Sequence, residues 1–311
     1  MAKVTRNRAI LAEIESSYGT DPTPEAGTNY VRCRTLTIEP LQADTVERET
    51  IRPYFGNYDV LLANQRVQLT IEVELAGSGT AGTAPAWDPL MRSCGNSVAT
   101  AAGTSVTYAP ETSTHESCTI YYFDDGVRHK VTGARGNWGM TLELGEIPVI
   151  TFTMTGIFNA PTDTAISAVT EANQAAPVLF KNGNTTGFAL FSYGAALQSY
   201  SFDCANAVTY RELVGGTKEV LITDRRPSGQ LSIEAVALSD HNYFSDATGT
   251  STGSNTFQHG QTAGNIATFS CPQTDISSPG YEESDGIRML SIPFVAVPTS
   301  AGNNEYSLIL T

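Results

Sequence analysis

Gln68-Leu69-Thr70-Ile71-Glu72 returns later in the chain as Gln230-Leu231-Ser232-Ile233-Glu234. An Arg48-Glu49 pair lies 19 residues before the first phrase, and an Arg211-Glu212 pair lies 18 before the second. A surface loop absorbs the one-residue difference at little cost. Both phrases alternate apolar and polar residues, the period of a strand with one face buried. The 311-residue chain therefore reads as two copies of one β-rich unit, each roughly 130 residues and large enough for its own core. A duplicated unit is one way to place half of a symmetric ring in a single polypeptide.

The composition agrees with short strands joined by tight turns: 41% hydrophobic and only 16% charged, with few long helices expected. Eighteen basic residues against 32 acidic give a net charge of -14 and a pI of about 4.6. Such a surface repels phosphate, which argues against nucleic-acid binding by charge neutralisation. Cys33, Cys94, Cys118, Cys204 and Cys271 are odd in number and form no CxxC pair, so they read as buried free thiols of a reducing compartment. The start of the chain has no signal-peptide core, and no stretch reaches the roughly 18 apolar residues of a membrane helix.

Outward from the repeat, residues 1–29 read as an arm, with a short helix expected over residues 7–17 from the spacing of Ile10, Leu11 and Ile14 and the cap at Asn7. Copy one spans 30–160, a small polar linker 161–176, and copy two 177–311. In copy one, Val67, Leu69, Ile71, Val73 and Leu75 alternate with Gln68, Thr70, Glu72 and Glu74. Just before them, residues 53–63 (Pro-Tyr-Phe-Gly-Asn-Tyr-Asp-Val-Leu-Leu-Ala) are too apolar for an idle loop. Val220-Leu221-Ile222 occupies the matching place in copy two. Residues 84–95 read as a helix ending at Gly95, with a weaker counterpart over 239–247, and Asp125-Gly126 reads as a hairpin turn.

Chemistry finds little footing. Gly249-Thr250-Ser251-Thr252-Gly253 matches GxSxG but lies in a Thr, Ser and Gly tract without the strand and helix a nucleophile elbow needs. His115, His129, His241 and His259 are scattered, Asp124-Asp125-Gly126 lacks the remaining ligands of a calcium loop, and no phosphate loop is present. No catalytic residue, metal or cofactor is expected. Asn184-Thr185-Thr186 is a glycosylation sequon only in a secreted chain.

Three stretches carry a resemblance: residues 72–95, from Glu72-Val-Glu-Leu through Ala-Trp87-Asp-Pro-Leu-Met-Arg-Ser-Cys-Gly95; residues 15–24, Glu-Ser-Ser-Tyr-Gly-Thr-Asp-Pro-Thr-Pro; and residues 148–156, Pro-Val-Ile-Thr-Phe-Thr-Met-Thr-Gly. Copy one resembles the major tail tube proteins of long, non-contractile bacteriophage tails over most of residues 9–161. Copy two does so through its likeness to copy one. The resemblance implies a mainly β fold: two tandem β-sandwich or partial-barrel domains, each with a short flanking helix. It also implies that six such domains close a ring around an inner barrel and that rings stack into a tube passing DNA and the tape-measure protein. With two domains per chain, the ring is a homotrimer of pseudo-sixfold symmetry. The partners implied are further copies of the chain, the tape-measure protein and the distal or terminal tail proteins, without a membrane. The place implied is the virion tail, assembled in the host cytoplasm. On this reading Glu47, Glu49, Glu72, Glu74, Glu143 and Glu234 line the lumen. Tyr54, Phe55, Tyr58, Leu61 and Leu62, with Val220, Leu221 and Ile222, join stacked rings. The alternative from the residues alone is a secreted carbohydrate-binding or adhesin β-sandwich, in which Trp87, Trp138 and the tyrosines form a sugar platform.

Overall fold

A computed structural model describes residues 3–311. The chain is mainly β, and the repeat phrase lies at its centre. Copy one contributes β3 (Thr35–Glu47), β4 (Val60–Glu74), β8 (Val127–Glu143) and β9 (Val149–Phe158), hydrogen-bonded antiparallel in the order β3-β4-β9-β8. Copy two repeats this with β12 (Leu197–Asp203), β15 (Ser228–Glu234), β18 (Gly280–Ser284) and β19 (Ile287–Ala296), in the order β12-β15-β19-β18. The repeat phrase occupies β4 in one half and β15 in the other. The halves are joined, because Ser199–Asp203 of β12 pair with Glu143–Gly139 of β8. One continuous eight-stranded sheet results, with β3 and β18 as its free edges.

Alternation sorts the two faces of this sheet. Leu69, Ile71, Phe152, Met154, Trp138, Met140, Tyr200, Phe202, Leu231, Ile233 and Ile292 are buried on one face, in a single apolar cluster that runs through both copies. Each copy closes that face with a second layer. In copy one this layer is β1 (Arg8–Ile14), paired with β7 (Cys118–Asp124) and β2 (Tyr30–Val31); β7 returns through the Asp125-Gly126 turn to the first half of β8. In copy two it is β11 (Thr185–Leu190), β16 (Gly253–His259) and β17 (Ala267–Ile276). The helices are short. α1 (Asp88–Arg92) has Pro89 in its first turn, and α2 (Tyr243–Thr248) is capped by the Asn242 side chain on the Ser245 amide.

The helix expected over residues 7–17 is instead strand β1. It has a counterpart in copy two, β11, which pairs with β16 as β1 pairs with β7. Glu15, just beyond β1, fixes this segment: its buried carboxylate accepts from Ser117 Oγ at 2.6 Å, Thr119 Oγ1 at 2.7 Å, and the Gly133 and Gly19 amides at 2.7 and 2.6 Å.

A further strand joins the copies from behind. β20 (Ser307–Leu310), at the end of copy two, pairs both with β17 of its own copy and with β6 (Ser105–Pro110) of copy one, which forms a hairpin with β5 (Asn96–Ala101). Between this layer and the sheet, Tyr306 Oη donates to Asn96 Oδ1 at 2.6 Å and accepts from Trp138 Nε1 at 3.3 Å, all three residues being buried. In copy one a strand of two residues, β10 (Thr162–Asp163), pairs with the start of β8 as β20 pairs with β17 in copy two.

Candidate assembly surfaces

The face of the sheet away from the core is polar and mostly neutral. Cross-strand partners share a face, and the register gives the rows Thr37, Thr70, Thr153, Asn137 and Thr141, Ser201, Gln230. Four of the glutamates singled out from the sequence, Glu72, Glu74, Glu143 and Glu234, lie on this face by alternation. Arg34 stands 3.7 Å from Glu72 and Arg32 3.3 Å from Glu74, so those two carboxylates carry counter-ions. Glu143 and Glu234 are exposed and free of ion pairs among the described residues. Glu47 and Glu49 do not join them: both belong to a hairpin that leaves the sheet. Glu39 on β3 and Glu282 on β18 share the polar face and were missed. Glu39 was legible from its alternation with Leu36 and Ile38.

Each copy sends out one such hairpin, and both grow from equivalent strands of the sheet. In copy one the far halves of β3 and β4 pair Thr45↔Leu62, Val46↔Leu61 and Glu47↔Val60. In copy two β13 (Asn206–Glu212) and β14 (Lys218–Arg225) pair Val208↔Ile222, Thr209↔Leu221 and Tyr210↔Val220. Counted from the repeat phrase, Asp44↔Ala63 matches Asn206↔Arg225; a bulge beyond that pair in copy two shifts the register, so Val60-Leu61-Leu62 and Val220-Leu221-Ile222 share the returning strand of the hairpin, about two residues apart in register.

Their surroundings differ. β13 and β14 lie against β8, β9 and β4 of copy one. The Val220 amide donates to Tyr18 Oη at 2.6 Å, its carbonyl accepts from Arg135 Nη1 at 2.8 Å, and the Arg135 guanidinium stacks over the Tyr18 ring. Ile222 reaches Gly95, which has φ of +74°; a side chain there would begin 3.3 Å from the Ile222 methyl. At the base of the hairpin, Arg225 is paired with buried Glu305 at 2.7 Å and donates to the Glu111 carbonyl at 3.0 Å. Val220 is 0% exposed. This corrects its expected role, since Val220 has no free surface for another ring; Leu221 and Ile222 are half-buried. In copy one Val60, Leu61 and Leu62 are 48%, 57% and 48% exposed, and Tyr54, Phe55 and Tyr58 stand out beyond them with Arg52 over the Tyr58 ring at 4.3 Å.

The other candidate chemistries have little geometry behind them. The GxSxG match follows α2 and leads into β16, the reverse of the strand-then-helix order of a nucleophile elbow. His259 is held by Thr185 Oγ1 and the Val178 carbonyl, and His241 by Asp246. Among the described residues no three His, Cys, Asp or Glu side chains gather as a metal site. Both tryptophans are buried, Trp87 donating to the Ala76 carbonyl at 3.1 Å, so neither offers a platform to a sugar. Burial pushes the thiols of Cys33, Cys118 and Cys204 up to about 12, which leaves them protonated at neutral pH.

A sheet left open at both edges, with a polar face and projecting apolar hairpins, is built for joining other copies. The sequence matches the phage tail tube protein family over residues 5–296. The chain belongs to that family. No curated protein matches it. A tail tube protein is a structural component of the virion tail that self-assembles into a tube, a role that suggests no enzymatic activity. Among its described residues no helix is long and apolar enough to cross a membrane.

Proposed function

We propose that three chains close into a ring of pseudo-sixfold symmetry and that rings stack into the tube of a long, non-contractile tail. DNA and the tape-measure protein pass through it, and the distal or terminal tail proteins join its end. Assembly takes place in the host cytoplasm. The observation that supports this most is the seam between β8 and β12. It joins the last strand of one four-stranded half to the first strand of the next. The free edges, β18 and β3, are the counterparts of those same two strands. Repeating the seam between chains turns the sheet into a closed barrel without any new kind of contact. Tyr281 on β18 and Leu41 on β3, 59% and 45% exposed, are apolar side chains such a seam would cover. Three chains bring roughly 24 strands at about 4.8 Å spacing, which at about 45° of tilt makes a barrel roughly 50 Å across. After side chains, a channel of about 40 Å remains.

In this arrangement the polar face lines the channel, with Glu72, Glu74, Glu143 and Glu234 among rows of Thr, Ser and Gln. Acid repels the phosphate backbone, so DNA slides without gripping. Glu143→Lys with Glu234→Lys should leave the melting temperature unchanged and slow DNA ejection, most at low salt. Ejection indifferent to the lysines at every salt concentration, or these carboxylates on the outer wall of an assembled tube, would reject the lumen role. The apolar tips Tyr54, Phe55 and Tyr58 are proposed to meet the stacked ring, at about 25 cal/mol per Å² of apolar area buried.

The ring itself is tested by cross-linking. Ser201 faces Thr141 across the internal seam, and matching of the registers makes Glu39 the counterpart of Ser201 and Ser284 that of Thr141. Mild oxidation of Glu39→Cys/Ser284→Cys should give covalent trimers, and electron microscopy should show rings with three repeats of two alternating lobes. Rings of six chains, or linkage that stops at dimers, would reject the trimer.

A further inference from the structure

The two hairpins are one device in two states of completion. In copy two, residues 206–225 lie across the neighbouring copy, with Val220 buried between Tyr18 and Arg135 and Ile222 against Gly95. In copy one the hairpin built on the same two strands has no neighbouring copy on that side within the chain, and Val46, Val60, Leu61 and Leu62 are about half exposed. We propose that the base of the copy-one hairpin, Val46 with Val60, Leu61 and Leu62, docks across copy two of the adjacent chain in the same ring, in the place equivalent to that which Val220–Ile222 occupy on copy one. This rests on the ring reading above and names a contact which that reading alone does not specify.

The occupant is fixed by the chain's own precedent. The hairpin leaves its sheet at the first strand, β3 in copy one and β12–β13 in copy two, beside the edge that forms the seam. Wherever the seam is made, the hairpin is carried onto the next copy. The receiving surface also has its counterpart. Val295 of β19, 45% exposed, stands in the register position of Ile157 of β9, since Val295 faces Ser228 as Ile157 faces Arg66. Ile157 lies beneath the copy-two hairpin, beside Tyr18: its methyl is 3.2 Å from where a Gly133 side chain would start, and Tyr18 Oη is 2.8 Å from the same point.

The hairpins differ in their tips, and this separates two jobs. In copy one, twelve residues, 48–59, connect the paired strands; in copy two, five, 213–217, do so. Only what extends past the docked base remains free for a stacked ring. On this division the base closes rings and the tip stacks them.

Two variants and one measurement test it. Val60→Asp/Leu62→Asp changes side chains half exposed in the single chain, so circular dichroism and melting of the monomer should match wild type, while association into rings, read by sedimentation velocity, should weaken at least tenfold. Tyr54→Ser/Phe55→Ser should give rings of normal stability that fail to stack. In those unstacked rings, hydrogen exchange should show residues 44–47 and 60–63 protected relative to the monomer. Aspartates that leave ring closure untouched, or a hairpin base protected only in stacked tubes, would overturn the docking while the ring stands. If the wild-type chain forms no rings at all, both readings fall together.

Discussion

The flank of copy one that faces copy two is closed three times over: by the β8–β12 seam, by β20 running beside β6, and by the β13–β14 hairpin laid across the top. The opposite flank of copy two, where the same strands recur, is open. The sheet edge and the hairpin can be matched by a neighbouring chain, but the third contact cannot. Copy one spends residues 96–110 on the β5–β6 hairpin that receives β20. In copy two only residues 249–252 separate α2 from β16. On the trimer reading one plan therefore serves two junctions of unequal strength, and a ring comes apart at chain boundaries with each chain still folded.

The sharpest way to break this comparison is at the buried link between the copies. Trp138 belongs to copy one, yet its ring packs on Phe202 at 5.2 Å and Tyr306 at 5.4 Å, both of copy two, and its carbonyl accepts from the Cys204 amide. Trp138→Ala should cost about 3–5 kcal/mol. Because the apolar cluster is continuous through both copies, urea unfolding should shift as a single transition. Copy two melting alone with copy one intact would mean that the junction couples the halves weakly. A smaller cut is Tyr306→Phe, which keeps the ring and removes only the hydroxyl. Asn96 Oδ1 and Trp138 Nε1 then lose that partner in a buried site, at a cost of about 1–3 kcal/mol. A change near zero would assign the junction's strength to packing alone.

Much of this was legible in the residues, and the failures have physical causes. Residues 66–75 alternate because one face of β4 is buried and the other is not, so both the strand and its polar face could be read directly. β1 could not. Ile10 and Ala12 enter the main core while Leu11 packs in a second cluster with Ala26, Tyr121 and Phe123, so both faces are buried, alternation disappears, and three apolar residues imitate a helical stripe. That Val60–Leu62 and Val220–Ile222 hold matching places before the repeat phrase was visible as sequence. Their different surroundings were not, because Tyr18 and Arg135 lie in separate segments and carry no local signal of a seat. Nor did anything mark β12 as the strand that would continue the sheet of copy one. A register between strands that distant depends on which edges the completed halves leave open.

The smallest effect concerns acidity, and it separates the closed flank from the open one. His115 lies beside Gly95 and Ile222 under the copy-two hairpin, with Nε2 3.0 Å from the Glu111 carbonyl. Burial holds its pKa below the ordinary value; the Glu111 carbonyl opposes this, and the nearby charges of Arg135 and Arg225 reinforce it. The unfolded chain takes up a proton near pH 6.5, the ordinary histidine value, whereas the folded chain resists doing so. The stability contributed by neutral His115 is therefore complete above about pH 6.5 and is lost as the pH falls through the depressed folded value. His129 and His259 are depressed by burial as well, so the total acid sensitivity is shared, and only a difference isolates the junction. Between about pH 7.5 and about pH 5.5 the wild type should lose more melting temperature than His115→Gln. Hydrogen exchange, corrected for its intrinsic pH dependence, should show the Asn206–Glu212 and Lys218–Arg225 strands loosening first on acidification. The same fall in melting temperature with and without the histidine would place the acid-labile step elsewhere. Loosening that begins at the β3 edge would reverse the order of strength inferred for the two flanks.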